Sequence, residues 1–458
     1  MTSPAESVDD TDPIDPDYPV TPVPLTARKS FFSLAVVLLG FTIFTPTMLA
    51  GAALGTAFAF WDLMLVILAG SVILGAYVAA MGYVGARTGL TTVVMARYSF
   101  GNRGSKLASL LLGGTQIGWY GVIVGTIGDL TAQAADWDSY GAKASIMIAT
   151  SALMCITACY GYRGMYWVSL VSTPLILALA VWVVFRSLDE VGGFDGLTAV
   201  EPTASMTVAV AITTVVGTFV SAGTQAPNWT RFGRTGQQAL WACVIGFLIG
   251  NGLMILFGAI GAITFGEGDF VLVLYQLGLV GWGLVLLFGN LWKSNADTAY
   301  AFGVAGAEMF EKPRKTPFIV GGSIIGTVLA LTGVQNHLID YLTLLGTFIP
   351  PLGGVIIADY WCRWRSRSMS GEEGSERSGG REERVASAQR ADDRTRPGVM
   401  TGEPPIVHWP HIAVYAVASF VAWGSGELEI GIPPVIGIVL AIAGTIAVHR
   451  LRTEARAA

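Results

Sequence analysis

Charge is scarce in this chain. Asp, Glu, Lys and Arg together make up 13% of the 458 residues, while 53% are hydrophobic and the mean hydropathy is +0.59. A soluble domain carries about 25% charge, so the composition excludes an ordinary soluble protein and predicts one embedded in a membrane. Histidine is scarcer still. His337, His408, His411 and His449 are the only four, all at the ends of apolar runs. No metal-ligand spacing and no nucleophile–base set falls inside those runs, which argues against a membrane-embedded enzyme and predicts no cofactor. Rings of like charge and filter-like repeats are also missing, which argues against a channel. Cysteine is limited to Cys155, Cys159, Cys243 and Cys362, in apolar runs or at a run's edge. They read as small buried hydrophobes rather than disulfide or metal partners. The first thirty residues are acidic and proline-bearing (Glu6, Asp9, Asp10, Asp12, Asp15, Asp17) rather than basic then apolar, so no cleavable signal is expected. The net charge of −5 lies mostly in tails and loops and directs the chain to no nucleic acid.

Long apolar runs are plentiful. Spanning a bilayer takes about 20 apolar residues, and twelve stretches qualify: about Phe31–Ala57, Phe60–Gly85, Lys106–Ala132, Ala144–Tyr162, Met165–Phe185, Met206–Asn228, Leu240–Phe265, Val271–Gly303, Phe318–Gly333, Leu338–Trp361, His411–Gly426 and Ile430–Arg450. The run from Val271 is too long for one simple span, which predicts a tilt or an extension beyond the bilayer. The 57 glycines suit close packing of membrane helices through small residues.

Basic residues cluster in every second connection along the chain, which places them on one side of the membrane. Arg28 and Lys29; Arg87, Arg97 and Arg103; Arg163; Arg231 and Arg234; Lys312, Arg314 and Lys315; and the loop from Arg363 to Arg396 share one side. Asp136, Asp138, Asp189, Glu190, Asp195, Glu267, Asp269, Glu427 and Glu429 face the other, against only Lys143 and Arg186. A multi-pass protein of the cytoplasmic (inner) membrane with both termini in the cytoplasm follows. Residues 1–29 read as a disordered cytoplasmic tail, and 30–361 as a ten-helix core with repeats at about 31–186 and 205–361. Residues 362–406, rich in Ser, Gly, Glu and Arg, read as a disordered loop. A plain tether suits that loop better than a regulatory element. Two added spans (407–450) and a tail (451–458) complete the chain.

Two spans are hard to keep helical. The sixth contains Gly217-Thr218-Phe219-Val220-Ser221-Ala222-Gly223-Thr224-Gln225-Ala226-Pro227-Asn228, and the first contains Gly40-Phe41-Thr42-Ile43-Phe44-Thr45-Pro46. Glycine, hydroxyl residues and proline break helices, and freed backbone groups in hydrocarbon must be satisfied by protein or a water-filled cavity. Interrupted helices at matching positions of two halves point to a transporter with inverted repeats and a site between them. The simpler alternative is that Pro46 and Pro227 merely kink two ordinary helices. An odd number of spans per half inverts the second half. The expected fold is therefore all-α: about twelve membrane helices, a five-plus-five inverted repeat of the leucine-transporter class, and two C-terminal helices. In that class the substrate lies between the first, third, sixth and eighth spans.

Those spans carry a coherent set of side chains. Gln116 and Trp119, three residues apart on the third, share a face. Phe219 and Ser221 lie on the sixth; Asn290, Lys293, Ser294 and Asp297 fall along one side of the eighth. Flat rings beside carboxamides and hydroxyls, with no arginine among them, suit a small planar neutral ligand. A nucleobase fits, stacking by its faces and exchanging hydrogen bonds along its edge.

At these residues the chain resembles the purine–cytosine permease (nucleobase–cation symporter-1) family, and within it the bacterial cytosine permeases. The likeness rests on Gly40–Gly55, Gly85–Thr92, Arg97-Tyr98-Ser99-Phe100-Gly101, Leu112–Trp119, Phe219–Gly233 and Pro350–Tyr360. It runs from about Phe31 to Tyr360 and resumes weakly in the last two spans. The resemblance implies that Trp119 and Phe219 sandwich the base. Gln116, Ser221 and Asn290 would read its edge beside exposed backbone near Phe44 and Thr45. It also implies a cation site built from carbonyls of Gly40, Ile43 and Asn290 with two adjacent hydroxyls on the eighth span. Here the first of those hydroxyl positions is Lys293, and only Ser294 keeps the hydroxyl. An ammonium cannot ligate sodium, and a membrane-embedded ionisable residue calls for a named partner, Asp297 being the nearest by spacing. The expectation is import of cytosine or a close relative without dependence on sodium, with proton coupling through Lys293 or uncoupled facilitation in its place. The alternatives are a sodium-coupled symporter, Lys293 as a structural tie to Asp297, or a permease for a purine, uracil, a hydantoin or a vitamin ring. Oligomeric state is not legible.

Overall fold

The computed structural model describes residues 21–137, 139–160, 163–267, 269–312, 314–364 and 404–457. Among these the chain is all helix. The first span is two helices, α1 (Phe31–Thr42) and α2 (Pro46–Ala57), set at 59° to one another. Proline opens α2 in its first turn, where its missing N–H costs nothing. Spans two to five are α3 (Phe60–Thr88), with the short α4 (Thr92–Phe100) after it, then α5 (Ser105–Ala134), α6 (Tyr140–Tyr160) and α7 (Arg163–Glu190). After α8 (Phe194–Ala199), span six is α9 (Val208–Thr224) followed by the single turn α10 (Pro227–Thr230). Span seven is α11 (Gly236–Cys243), a wider π turn over Val244–Gly250, and α12 (Asn251–Phe265). Then come α13 (Phe270–Gln276), α14 (Val280–Met309), α15 (Thr316–Leu331), α16 (Leu338–Phe348), α17 (Pro350–Asp359), α18 (Trp409–Glu427) and α19 (Pro433–Ala457). All twelve apolar runs correspond to a helix or a helix series.

Two expectations need correction. The run from Val271 is not one tilted span. Gly278, in the left-handed region at φ 75°, turns the chain between α13 and α14. The helix after that turn, α14, runs 30 residues to Met309, past the end of the apolar run at Gly303. The break in the sixth span is also displaced: α9 stays helical through Gly217, Ser221 and Gly223 and yields only at Gln225–Ala226. Its hydroxyls bond back within the helix, Thr218 Oγ1 to the Val215 carbonyl and Thr224 Oγ1 to that of Val220, both at 2.7 Å. Gly217 serves packing, since a Cβ there would collide with the Leu342 carbonyl oxygen of α16.

The two halves exchange equivalent contacts. The second piece of the first span, α2, packs on α12 of the second half, and the second piece of the sixth, α10, packs on α3 of the first half. The basic segments gather at one end of the bundle. Arg28 donates to the carbonyls of Ala86 (2.7 Å) and Gly233 (3.0 Å), and Arg97 pairs with Glu308 at the end of α14. At the same end the chain entering α18 pairs with the turn after α4. The amides of Asn102, Arg103 and His408 donate to the carbonyls of Pro405, Ile406 and Phe100. Gly101 (φ 91°) permits this approach, because a side chain there would strike Pro405 and Val407. The disorder expected for 1–29 and 362–406 falls largely on positions outside the described residues.

Candidate substrate site between the two halves

The site grows from the gap in the first span. Ile43 leaves helical geometry (ψ 87°) and neither α1 nor α2 covers Ile43–Thr45, which frees backbone groups that lie buried. Asn290, in the middle of α14, satisfies two of them. Its Nδ2 donates to the Ile43 carbonyl at 2.7 Å, and its Oδ1 accepts from the Thr45 amide at 3.0 Å. Thr47 Oγ1 donates to the Phe44 carbonyl, also at 2.7 Å. A helix opened at this depth holds because a neighbouring side chain completes its hydrogen bonding.

The opening directs Phe44 into the centre of the molecule. Its ring meets Trp119 of α5 edge-on (centroids 5.5 Å apart, planes at 69°) and Phe219 of α9 in the same manner (6.0 Å, 70°). Phe41, one turn earlier, also touches Phe219, and Trp119 meets Tyr341 of α16 at 5.7 Å. Beside the rings lies a polar edge. Gln116 Nε2 donates to the Ser221 hydroxyl at 3.2 Å, which also bonds to Thr115, and the Tyr341 hydroxyl donates to the Thr115 carbonyl. Asn251 of α12 donates to Thr218 at 2.9 Å.

Phe41, Phe44, Gln116, Trp119, Thr218, Phe219, Ala222, Ser294 and Thr298 line a cavity of about 20 Å³. That is room for about one water, against roughly 300–1,000 Å³ for a ligand pocket. The walls are in contact with one another, and a ring entering between them must separate them. A wider groove of about 690 Å³ lies at the surface near Trp137 and Ile146, and its described lining residues include no carboxamide or charged group.

Six of the seven expected substrate residues (Phe44, Thr45, Gln116, Trp119, Phe219 and Ser221) meet around the break and its cavity. The seventh, Asn290, is there too, with both halves of its carboxamide on the helix break. The expected cation residues are split. The Ile43 carbonyl already accepts from Asn290 and keeps a second lone pair. Gly40 is buried on α1, and Ser294 faces the cavity. The Lys293 side chain falls outside the described residues, and Asp297, one turn on along α14, is engaged with neighbours. Sequence reasoning missed Phe41, Ala222 and Thr298. Helical spacing was the available signal, since each lies one, three or four positions from a residue already named. Tyr341, brought in by α16, had no such local signal.

The sequence model of a family of permeases for cytosine/purines, uracil, thiamine and allantoin matches residues 22–381. The chain belongs to that family. Cytosine permease of Escherichia coli O157:H7 is 41% identical to this permease over 347 residues, 76% of this chain and 81% of that one. Among solved structures, Mhp1 in its inward-facing conformation superposes with a TM-score of 0.75 at 20% identity, covering 95% of this chain and 93% of that one. Mhp1 in a closed conformation with bromovinylhydantoin bound, described as a nucleobase-cation-symport-1 transporter, gives 0.74 at 20% identity, with 96% of each chain covered. At that identity the likeness establishes the fold. The chain is a multi-pass membrane permease of the nucleobase-transporter type, and not an enzyme.

Proposed function

We propose that this permease imports cytosine or a closely related nucleobase across the cytoplasmic membrane by alternating access, with both termini in the cytoplasm. The observation that carries the reading is that Trp119 and Phe219 both touch the ring of Phe44, with the Gln116–Ser221 pair at their edge. A base entering here displaces Phe44 and exchanges the Gln116–Ser221 bond for bonds to its own edge. The carboxamide both donates and accepts, so it suits an aminopyrimidinone edge. Motion is supplied by the break at Ile43–Thr45, where one span has two independently movable pieces. The segregation of basic segments to one end supports the cytoplasmic assignment of the termini.

We further propose that transport proceeds without sodium and is driven by protons through Lys293, with Asp297 as its partner. The support is chemical: an ammonium at the position of a ligating hydroxyl repels sodium and offers a titratable group instead. A second reading, a hydantoin as cargo, is favoured by the superposition on a hydantoin-bound transporter. Uptake of radiolabelled cytosine into proteoliposomes tests both proposals. Expected is uptake indifferent to sodium and accelerated by an inward proton gradient, competed by cytosine more strongly than by hydantoins. A steep sodium requirement overturns the coupling proposal; competition by hydantoins alone overturns the substrate.

A further inference from the structure

Away from the substrate site, at the basic end of the bundle, Asp359, His411 and His449 come together from three separate helices. Asp359 is the last residue of α17, His411 lies in the first turn of α18, and His449 lies near the end of α19. One ligand-capable atom of each lies within 4.8 Å of the other two. Asp359 and His411 are fully buried, and His449 is partly buried. We infer that these three side chains form a binding site for a late first-row divalent cation, of which zinc is the test case.

The hydrogen bonds around the cluster orient it for that role. The Nδ1 of His411 lies 2.7 Å from the Ser99 carbonyl, which can only accept, so Nδ1 carries the proton and the lone pair is on Nε2. That Nε2 is buried and makes no hydrogen bond to any described residue. A ring proton donated to a backbone carbonyl, with the other nitrogen left bare, is the usual outer arrangement of a metal-binding histidine. The carboxylate is oriented in the same way. Oδ2 of Asp359 accepts from Ser99 Oγ at 2.9 Å and from Arg363 at 3.0 Å, while Oδ1 faces His449 Nε2 at 2.9 Å.

Two imidazole nitrogens and one carboxylate oxygen match zinc and its neighbours rather than magnesium or calcium, which take oxygen donors. Ligand atoms about 2.0–2.1 Å from a tetrahedral zinc stand roughly 3.4 Å apart. Small rotamer changes reach that spacing, opening the His449–Asp359 contact and closing the others. The cation replaces the proton on His449 Nε2, which moves to Nδ1, so the ring stays neutral. His408 is excluded as a ligand: its ring lies 3.8 Å from that of His411, but its Nε2 faces the Arg452 guanidinium at 2.6 Å. Arg363 and Arg452 oppose a cation and limit its affinity. A bound metal would fasten both appended helices to α17 and, through Ser99, to α4, next to the Arg97–Glu308 pair.

None of this depends on the nucleobase reading. The test uses the full chain in detergent, freed of any purification tag and stripped by a chelator. Equimolar zinc is then added, and retained metal is counted by mass spectrometry after gel filtration. One zinc per chain is expected, with cobalt in its place giving visible bands of a low-coordinate N/O site. His411→Ala and His449→Gln should each weaken binding at least about tenfold, whereas His408→Ala should not. Glutamine at 449 keeps a donor for Asp359, so loss of metal there does not reflect a failure to fold. No retained zinc and no cobalt bands, or zinc retained equally by the His411→Ala and His449→Gln variants, overturns the inference.

Discussion

The carboxamide of Asn290 bridges the gap at Ile43: Nδ2 donates to the Ile43 carbonyl at 2.7 Å while Oδ1 receives the Thr45 amide at 3.0 Å. One side chain of the second half thus holds open the broken helix of the first. Asn290→Ala leaves two buried backbone groups without a partner, at a cost of about 1–3 kcal/mol each. The expected outcome is a lower melting temperature in detergent together with loss of cytosine uptake. Asn290→Asp, which cannot donate to the carbonyl, should behave the same way. Unchanged melting in both variants would show that the bridge contributes nothing.

Trp119 supplies the largest flat face in the site. Stacking of a base on an aromatic ring is worth roughly 1–3 kcal/mol, so Trp119→Ala should raise the Kd for cytosine about 10–100-fold in equilibrium binding. Trp119→Phe should have a smaller effect, because it keeps a face of lesser area. The ring also packs against Phe44 and Tyr341, so melting is measured alongside to separate lost stacking from lost fold.

Lys293→Thr restores the hydroxyl next to Ser294. Its expected outcome is a gain of sodium dependence: uptake that sodium leaves unchanged in the native chain becomes stimulated by it in the variant, and the response to a proton gradient weakens. Variant uptake that sodium still does not affect would detach Lys293 from coupling.

Asp269 lies between spans and caps α13, accepting from the Val271 amide at 2.8 Å. Burial pushes its carboxyl up to about 6 from an ordinary 3.8; the nearby Glu267 adds to the shift and the Val271 N–H opposes it. The folded chain therefore binds more protons than the unfolded chain between these values. This group's contribution is greatest below the unfolded value and is lost as the pH rises through the folded one. Native melting should fall relative to Asp269→Asn between about pH 4 and 6 and run parallel to it above. A native-minus-variant difference that does not vary with pH would contradict this.

Sequence by itself determined the twelve spans, their two-sided charge pattern and the break in the first span. Each rests on a local quantity: runs of apolar residues about as long as a bilayer is thick, loops that keep their charge, and a proline set among glycine and hydroxyl residues. Local pattern was less reliable at Gly217–Asn228. The same glycines and hydroxyls that break a helix in isolation keep it intact when a neighbour packs on the glycine and the hydroxyls bond to the turn before. For the candidate substrate site, the residues named on four spans stood out in the sequence because rings, carboxamides and hydroxyls recur on spans that are otherwise apolar. Tertiary structure alone decided what those side chains do with one another. Asn290, expected at the substrate's edge, also braces Ile43 and Thr45 because α14 passes the break at hydrogen-bonding distance. Asp359, His411 and His449 looked like a motif residue and two span-end histidines. They meet because helices joined by a long connection pack side by side, and no spacing along the chain encodes that meeting.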